Sequence, residues 1–257
     1  MYKTTKRLQT DYMKACFVEF LRKKLVDHGE YSLALKTYLT KKYLLSDLNS
    51  GKFWDEKFSI DRLLNPMEKW RTNKIISLIK AKSKILNIGV GSGRLEEILF
   101  RTKDTDYVGT DITNKTLNVL KKKFPGKIFL GQTLPKLNFG NDKFDQVMLL
   151  EVLEHIKPTE TFILLKEIYR ILKVNGEFVV SVPINEGLEK MLPDNPNSHM
   201  RMYSEELLKF ELKVAGFEIE KVFSSTAFDK MFTIKHILNS VYPFRHSNNI
   251  IILCSKK

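Results

Sequence analysis

Three glycines and one aspartate in residues 84–111 have the types and spacing of a nucleotide-binding turn. Gly89, Gly91 and Gly93 follow a short apolar run, and Asp111 comes about 20 residues later. Glycines let the backbone pass close beneath a ligand, and the amides that open the next helix then face an anionic or polar group. Asp111 is placed to accept hydrogen bonds from a ribose diol. These residues predict a site for an adenosine-containing ligand.

A strand, a turn, a helix and a second strand are needed to hold these residues. The apolar runs 85–88 and 107–108 predict the two strands, and the apolar spacing of 95–99 predicts the helix between them. The dinucleotide pattern G-x-G-x-x-G would place its third glycine where this chain has Arg94. The observed G-x-G-x-G spacing departs from that pattern. A tight connection without any ligand would use the same glycines, so later segments must decide.

Those later segments carry a family resemblance. They read FDQV at 144–147, EVLEHI at 151–156 and EIYRILKVNGEFVVSVP at 167–183. Together with the glycine turn, they resemble the class I S-adenosylmethionine-dependent methyltransferases, in particular a small-molecule branch of type 11/23, over residues 70–220. The resemblance implies an α/β fold with a Rossmann-like, doubly wound, seven-stranded sheet. Its strands would be mostly parallel, with the last one antiparallel.

The resemblance also implies S-adenosylmethionine as the cofactor and assigns its contacts. Ile112 and Leu134 would lie against the adenine ring. Family members usually have an aspartate at the position of Gln132, where it accepts from the adenine amino group, and a glutamine carbonyl can accept the same bond. The full predicted set is Gly89, Gly91, Gly93, Asp111, Ile112, Gln132, Thr133, Leu134 and Leu150.

Carboxylates and histidines follow the predicted fourth strand. Methyl transfer is an in-line displacement, and an oxygen acceptor of high pKa needs a base or a metal, whereas a phosphate or carboxylate acceptor needs neither. If the chain turns helical there, Glu151, Glu154 and His155 share one face. His199 would complete a set of oxygen and nitrogen ligands suited to Mg, Mn or Fe. Small-RNA terminal 2′-O-methyltransferases and ubiquinone-pathway O-methyltransferases show a similar E-x-x-E-H.

The segment 151–156 can also be interpreted without a metal. Similar segments are widespread in family members, where they only pack the turn after the fourth strand. Glu151, His155 and His199 are then the predicted catalytic residues, with the two imidazoles as candidate bases because their pKa lies near working pH. Each histidine alone is more often a structural hydrogen-bonding residue.

Three segments complete the predicted organisation. Residues 1–65 form a helical extension and 66–257 the methyltransferase domain, within which the long polar connection 183–203 is predicted to be an acceptor-binding lid. Trp54, with the neighbouring Phe53 and Phe58, either closes over the ligand or packs in the core.

Arg201 and Tyr203 are predicted to bind the acceptor. The segment HMRMYSEEL resembles a recurrent family element before the penultimate helix, and an arginine there can hold a phosphate or carboxylate in a bidentate fork. Arg201 equally well braces the lid on Asp194 or Glu205.

Charge and composition limit which partners and which cellular compartment are expected. The net charge of +13 attracts anionic partners such as phosphorylated substrates, nucleotides or RNA, although solvated lysine-rich faces explain it as well. No apolar run approaches the ~20 residues that span a bilayer, so a cytoplasmic protein without membrane attachment is expected. Cys16 and Cys254 lack disulfide or metal spacing. The oligomeric state is left open.

Three functions are consistent with these residues. The first is methylation of an oxygen on a small, polar, anionic acceptor, such as a sugar in carbohydrate biosynthesis, a nucleotide-linked intermediate or a phosphorylated metabolite. The second is metal-assisted RNA 2′-O-methylation, which the charge and the E-x-x-E-H set favour and the lack of an RNA-binding domain opposes. The third is a non-catalytic, S-adenosylmethionine-binding partner subunit, because the glycines and Asp111 imply binding but not turnover.

Overall fold

The computed structural model describes residues 50–57, 64–186, 199–226, 232–241 and 246–257. Most of the predicted extension and residues 187–198 of the predicted lid lie outside these ranges. The helices are α1 (Gly51–Lys57), α2 (Pro66–Leu78), α3 (Arg94–Thr102), α4 (Asn114–Lys123), α5 (Pro158–Ile171), α6 (Glu205–Ala215) and α7 (Phe232–Val241). The strands are β1 (Lys84–Ile88), β2 (Asp106–Asp111), β3 (Ile128–Gly131), β4 (Phe144–Leu150), β5 (Leu172–Pro183), β6 (Glu218–Ser225) and β7 (Asn249–Ser255).

The strands form one seven-stranded sheet in the order β3-β2-β1-β4-β5-β7-β6. The first five strands in this order run parallel, and β7 pairs antiparallel with both β5 and β6. Every residue of β7 is buried, as expected for a central strand with a continuous apolar run. The predicted fold class is therefore confirmed, including the antiparallel last strand.

Helices cover both faces of this sheet, which makes it doubly wound. On one face α5 and α6 supply the buried residues Leu164, Leu165, Ile168, Leu208 and Leu212. On the other face α2, α3 and α4 supply Ile75, Ile76, Leu95, Leu99, Leu117 and Leu120. Burying one such side chain fully stabilises the fold by about 1.5–3 kcal/mol. No helix within the described ranges combines the length and the apolar character needed to cross a bilayer.

Local signals fix where α2 begins. Asn65 accepts from the backbone of Glu68 (2.9 Å), the Glu68 carboxylate accepts from the backbone of Asn65 (2.8 Å), and Pro66 occupies the first helical position. This reciprocal capping box satisfies two amides that would otherwise lack partners. It sets the register with which α2 directs Arg71 towards the end of β4.

Candidate active site

A cavity of about 980 Å³ opens beyond the carboxyl ends of β1, β2 and β4. Open parallel sheets bind ligands at this edge, and the volume suits a nucleoside-sized ligand with room for a second molecule. Eight of the nine predicted cofactor residues line it: Gly89, Gly91, Asp111, Ile112, Gln132, Thr133, Leu134 and Leu150. Gly93 is the exception.

The carboxylate of Asp111 is held rigidly at the end of β2. The backbone N–H of Gly91 donates to Oδ2 (3.0 Å), while the backbone and the hydroxyl of Thr113 donate to Oδ1 (3.0 and 2.9 Å). Each oxygen keeps acceptor capacity, because a carboxylate offers about four lone-pair sites. Asp111 is thus oriented to accept bonds from a ribose diol at the cavity wall.

Gln132 lines the cavity, and its side chain makes a hydrogen bond within the protein. Its amide nitrogen donates to the carbonyl of Lys136 (2.8 Å), which leaves the Oε1 carbonyl as the group available to a ligand. The backbone N–H of Gln132 also donates to the carbonyl of Asp111 (3.0 Å), which joins the two contact residues.

The glycines of the turn have different tasks. Gly89 and Gly93 have φ of +82° and +74°, and a Cβ there would lie 2.5 Å from Val152 and 2.3 Å from Leu120. Gly91 has φ of +52°, but nothing lies within 4 Å of where its Cβ would be. Gly93 therefore serves the packing of α3 against α4, whereas Gly91 borders the open cavity.

Gly93→Ala is expected to lower the free energy of unfolding by about 1–3 kcal/mol more than Gly91→Ala. Both changes strain a left-handed residue, but only the first drives a methyl group into Leu120, which is fully buried and cannot withdraw. Urea denaturation of the two variants measures the difference. In a protein that already carries Leu120→Ala, Gly93→Ala should lower the free energy of unfolding by less than it does in the unchanged protein. Equal losses of stability for Gly93→Ala and Gly91→Ala would contradict this explanation.

Glu151 does not join the cluster that its spacing predicts. Its φ is +56°, and only a 3₁₀ turn at Leu153–His155 follows, so the helical condition fails and its side chain points elsewhere. Its carboxylate pairs with Arg71 (2.7 Å) and accepts from Ser181 (2.7 Å) and Asn249 (3.0 and 3.1 Å). Glu151 is not among the described residues that converge as possible metal ligands, which corrects its predicted role in metal binding. Its carboxylate pairs with Arg71 at the cavity wall, and its catalytic role stays a prediction.

Arg71 is a cavity residue that sequence reasoning missed. It reaches the cavity wall from α2, and its partner Glu151 lies at the end of β4. The capping box before α2 could have located the helix but not this long-range ion pair.

Glu154, His155 and His199 do converge. One ligand atom of each lies within 4.8 Å of the others, and the two imidazole rings are 4.9 Å apart. His155 lines the cavity and lies edge-on to Trp54 with ring centroids 4.8 Å apart, whereas His199 is buried directly behind it. Trp54 lines the cavity too, while Phe58 lies outside the described residues. Three of the four predicted ligands thus form one cluster beside the cofactor cavity.

Glu154 is the most deeply buried member of this cluster. Only 1% of it is exposed, and burial raises the pKa of its carboxyl well above the usual value, with the nearby charges of Glu151 and Glu186 adding to the effect. Its Oε2 has no hydrogen-bond partner in the part of the chain that the structure describes. Buried carboxyl oxygens are normally paired, so this atom is an exception within the cluster.

Backbone contacts bring His199 to the cluster across a long sequence separation. The N–H groups of Met200 and Arg201 both donate to the carbonyl of Glu154 (2.9 and 3.1 Å). Ile184 and Tyr203 form a bridge, so the returning chain runs beside the end of β5. The position of His199 therefore rests on residues that follow it directly.

Arg201 and Tyr203 do not line the cavity. The guanidinium of Arg201 donates to Thr161 and to the Tyr203 hydroxyl (2.7 Å each) and pairs with Glu211, to which Tyr203 also donates (3.1 Å). All four residues are buried, and burial raises the pKa of Tyr203 well above its usual value. The predicted acceptor-binding role is corrected: these side chains brace the chain after His199 against α5 and α6.

Arg201→Ala is expected to lower the free energy of unfolding by about 3–5 kcal/mol, because it leaves the Glu211 carboxylate buried without its cation. Chemical denaturation measures this loss, and Glu205→Ala on the surface of α6 is the matched control. Unchanged stability together with a raised KM for the acceptor would restore the binding role. Of the two bracing partners expected from sequence, Asp194 lies outside the described residues and Glu205 pairs with Lys209.

The sheet order, the glycine turn and the Asp111 site are those that the resemblance to the class I S-adenosylmethionine-dependent methyltransferases implies. Residues 86–180 match the family described as "Methyltransferase domain", of type 11. This part of the chain is therefore similar to the methyltransferase domain of that family.

Relatives of known sequence agree with this assignment. The chain is 32% identical over 139 residues to a ubiquinone biosynthesis O-methyltransferase from Pelagibacter ubique, covering 49% of this chain and 57% of the relative. It spans between 40% and 62% of the length of the curated relatives it matches.

Solved structures share the fold at low identity. A methyltransferase from Archaeoglobus fulgidus superimposes with a TM-score of 0.56 at 20% identity, over 80% of this chain and 99% of that one. The [4+2]-cyclase SpnF superimposes with a TM-score of 0.58 at 14% identity, over 86% and 92%. Because a cyclase shares the architecture, the fold alone does not fix the reaction, and the residues of the site must carry that argument.

Proposed function

We propose that this protein transfers the methyl group of S-adenosylmethionine to a hydroxyl oxygen of a small polar acceptor. The observation that carries the proposal is the convergence of Glu154, His155 and His199 beside the cofactor cavity. His155, whose ring lines the cavity, takes the hydroxyl proton. The acceptor oxygen then forms its bond to the methyl carbon as the carbon–sulfur bond breaks, and the electron pair stays on sulfur in the released S-adenosylhomocysteine.

An acceptor oxygen of high pKa explains why a carboxyl group and two imidazoles would lie together beside the cavity. A phosphate or carboxylate oxygen is already anionic and needs only alignment with the methyl group, so two imidazoles and a carboxyl would be superfluous. A sugar hydroxyl must lose its proton during attack. The O-methyltransferase name of the Pelagibacter relative supports the same acceptor atom.

The local charge favours a hydroxyl-rich acceptor over a strongly anionic one. Arg201 is committed to its buried network, and the cavity arginines Arg71 and Arg94 pair with Glu151 and Glu97. Among the described cavity residues, Lys157 is the lysine that an acidic group on the acceptor would meet. A sugar carrying at most one or two acidic groups is compatible with the charged residues that line the cavity. The positive net charge of the whole chain does not change this local balance.

A divalent cation at the same cluster is a second candidate. The residues fit a site of one carboxylate and two imidazoles, because their ligand atoms converge and Glu154 Oε2 has no other partner within the described residues. Glu154, His155 and His199 would hold it, and it would lower the pKa of the acceptor hydroxyl. Calorimetry with Mn²⁺ should then show binding to the unchanged protein that Glu154→Gln abolishes. Equal titration curves for the unchanged protein and Glu154→Gln would rule out a cation at this cluster.

A panel assay for released S-adenosylhomocysteine tests the function. Sugars, nucleotide sugars, phosphorylated metabolites, catechols and short RNA are compared, each with and without prior chelation. Turnover with a hydroxyl acceptor supports the proposal, and salt-sensitive turnover on RNA would favour 2′-O-methylation of RNA instead. Tight binding of S-adenosylmethionine with no turnover on any acceptor would favour the non-catalytic partner subunit.

A further inference from the structure

Glu186, which is not among the residues lining the cavity, contacts His199. Its Oε2 lies 2.6 Å from His199 Nδ1, and the two side chains are only 13% and 8% exposed. A short, nearly dry contact between a carboxylate and an imidazole is a strong hydrogen bond. Sequence reasoning did not single out Glu186, because no motif contains it and the contact joins the two ends of the connection after β5.

The contact pairs Nδ1 of His199 with a carboxylate oxygen, which bears on its tautomer. A carboxylate can only accept, so Nδ1 must donate, and the neutral ring then keeps its lone pair on Nε2. Nε2 is therefore the nitrogen left for Glu154 and His155, the other members of the cluster. Carboxylates behind histidines commonly fix the tautomer and the ring orientation in this way.

The backbone around Glu186 is itself anchored. The preceding residue, Asn185, has φ of +57°, its N–H donates to the carbonyl of Tyr203 (3.1 Å), and its side chain donates to the carbonyl of Ser247 (3.0 Å). Ile184 donates to the carbonyl of Asn248 (2.9 Å). These bonds tie the start of the connection to its return and to the chain before β7, so Glu186 is presented from a fixed support.

We infer that Glu186 is a positioning residue, which fixes His199 with its proton on Nδ1 and so presents the Nε2 lone pair to Glu154 and His155. The inference deepens the proposed function and rests on it for its effect on turnover. The tautomer itself depends only on the contact with Glu186. The two parts can therefore be tested separately.

Nitrogen-15 NMR of labelled protein tests the tautomer without any acceptor. In its singly protonated form His199 should show a protonated Nδ1 and an unprotonated Nε2, and Glu186→Ala should shift it towards protonated Nε2, the tautomer preferred by a free histidine side chain. His199→Gln assigns the signals. Glu186→Gln should keep the original pattern, because its carbonyl can still accept from Nδ1. Unchanged His199 signals in Glu186→Ala would overturn the inference.

Kinetics on an acceptor found in the panel assay test the effect on turnover. Glu186→Ala should lower kcat by about 10- to 100-fold, with the acceptor KM and the affinity for S-adenosylmethionine within about threefold. Glu186→Gln should lose clearly less, and Glu205→Ala on the surface of α6 should resemble the unchanged protein. A parallel fall in kcat, cofactor affinity and melting temperature in Glu186→Ala would make Glu186 merely structural and overturn the inference. If the panel finds no acceptor while the tautomer shifts as expected, the tautomer control stands and the proposed reaction fails.

Discussion

His155→Ala is expected to lower kcat by about 100- to 10,000-fold, the range that one general base contributes. His155 is the imidazole of the cluster whose ring lines the cavity, so it is the one that an acceptor hydroxyl can touch. His199 lies behind it with ring centroids 4.9 Å apart and acts on the acceptor only through the cluster. His199→Ala should therefore lower kcat by a smaller factor.

The readout must separate chemistry from cofactor binding. His155 lies edge-on to Trp54 on the cavity wall, so removing the ring loosens one side of the cavity as well. His155→Asn keeps a polar side chain but no base, and it should lose nearly as much kcat as His155→Ala. Calorimetry should give affinities for S-adenosylmethionine within about threefold of the unchanged protein. If kcat and cofactor affinity fall together for both histidines, the pair is structural and the proposed base is wrong.

The cofactor half of the site could be predicted because local sequence encodes it. The apolar run before Gly89 predicts a strand, the glycine spacing predicts the turn, and the second strand ends at Asp111, so three short segments determine the geometry. Gln132 follows β3 directly and is placed by the same logic. None of these positions depends on a contact that the chain must make far away in sequence.

The acceptor half could be predicted only in part, because Glu154, His155 and His199 converge but Glu151 does not join them. Glu151, Glu154 and His155 have helical spacing, but the positive φ of Glu151 rotates its side chain away towards Arg71, which comes from α2. Spacing predicts a shared face only if the backbone conformation is known, and a left-handed residue gives no pattern in a single sequence.

Arg201 shows the same limit for a charged side chain. An arginine in a polar connection resembles a ligand-binding residue, and only the fold reveals Glu211 on α6 as its buried partner. Glu186 is the reverse case, since an unremarkable glutamate becomes a positioning residue through one contact with His199. Long-range pairing of charges is decided by the tertiary structure, so local sequence can neither assign nor exclude it.

Asp111→Ala is expected to weaken the binding of S-adenosylmethionine by about 10- to 100-fold, because a hydrogen bond to a charged group contributes about 1.5–3 kcal/mol. The carboxylate also holds Gly91 and Thr113, so part of the loss would come from a loosened turn. Asp111→Asn keeps one oxygen for these contacts but loses the negative charge. Its affinity for S-adenosylmethionine should therefore lie between that of Asp111→Ala and that of the unchanged protein.

A cofactor product that lacks the ribose 2′-hydroxyl separates the two contributions. The unchanged protein should bind 2′-deoxy-S-adenosylhomocysteine more weakly than S-adenosylhomocysteine, whereas Asp111→Ala should bind both with similar affinity, because the group that recognises the diol is gone. Asp104→Ala, an exposed carboxylate between α3 and β2, is the control and should keep the full discrimination. If Asp111→Ala still discriminates between the two ligands, the aspartate only braces the turn and the diol is recognised elsewhere.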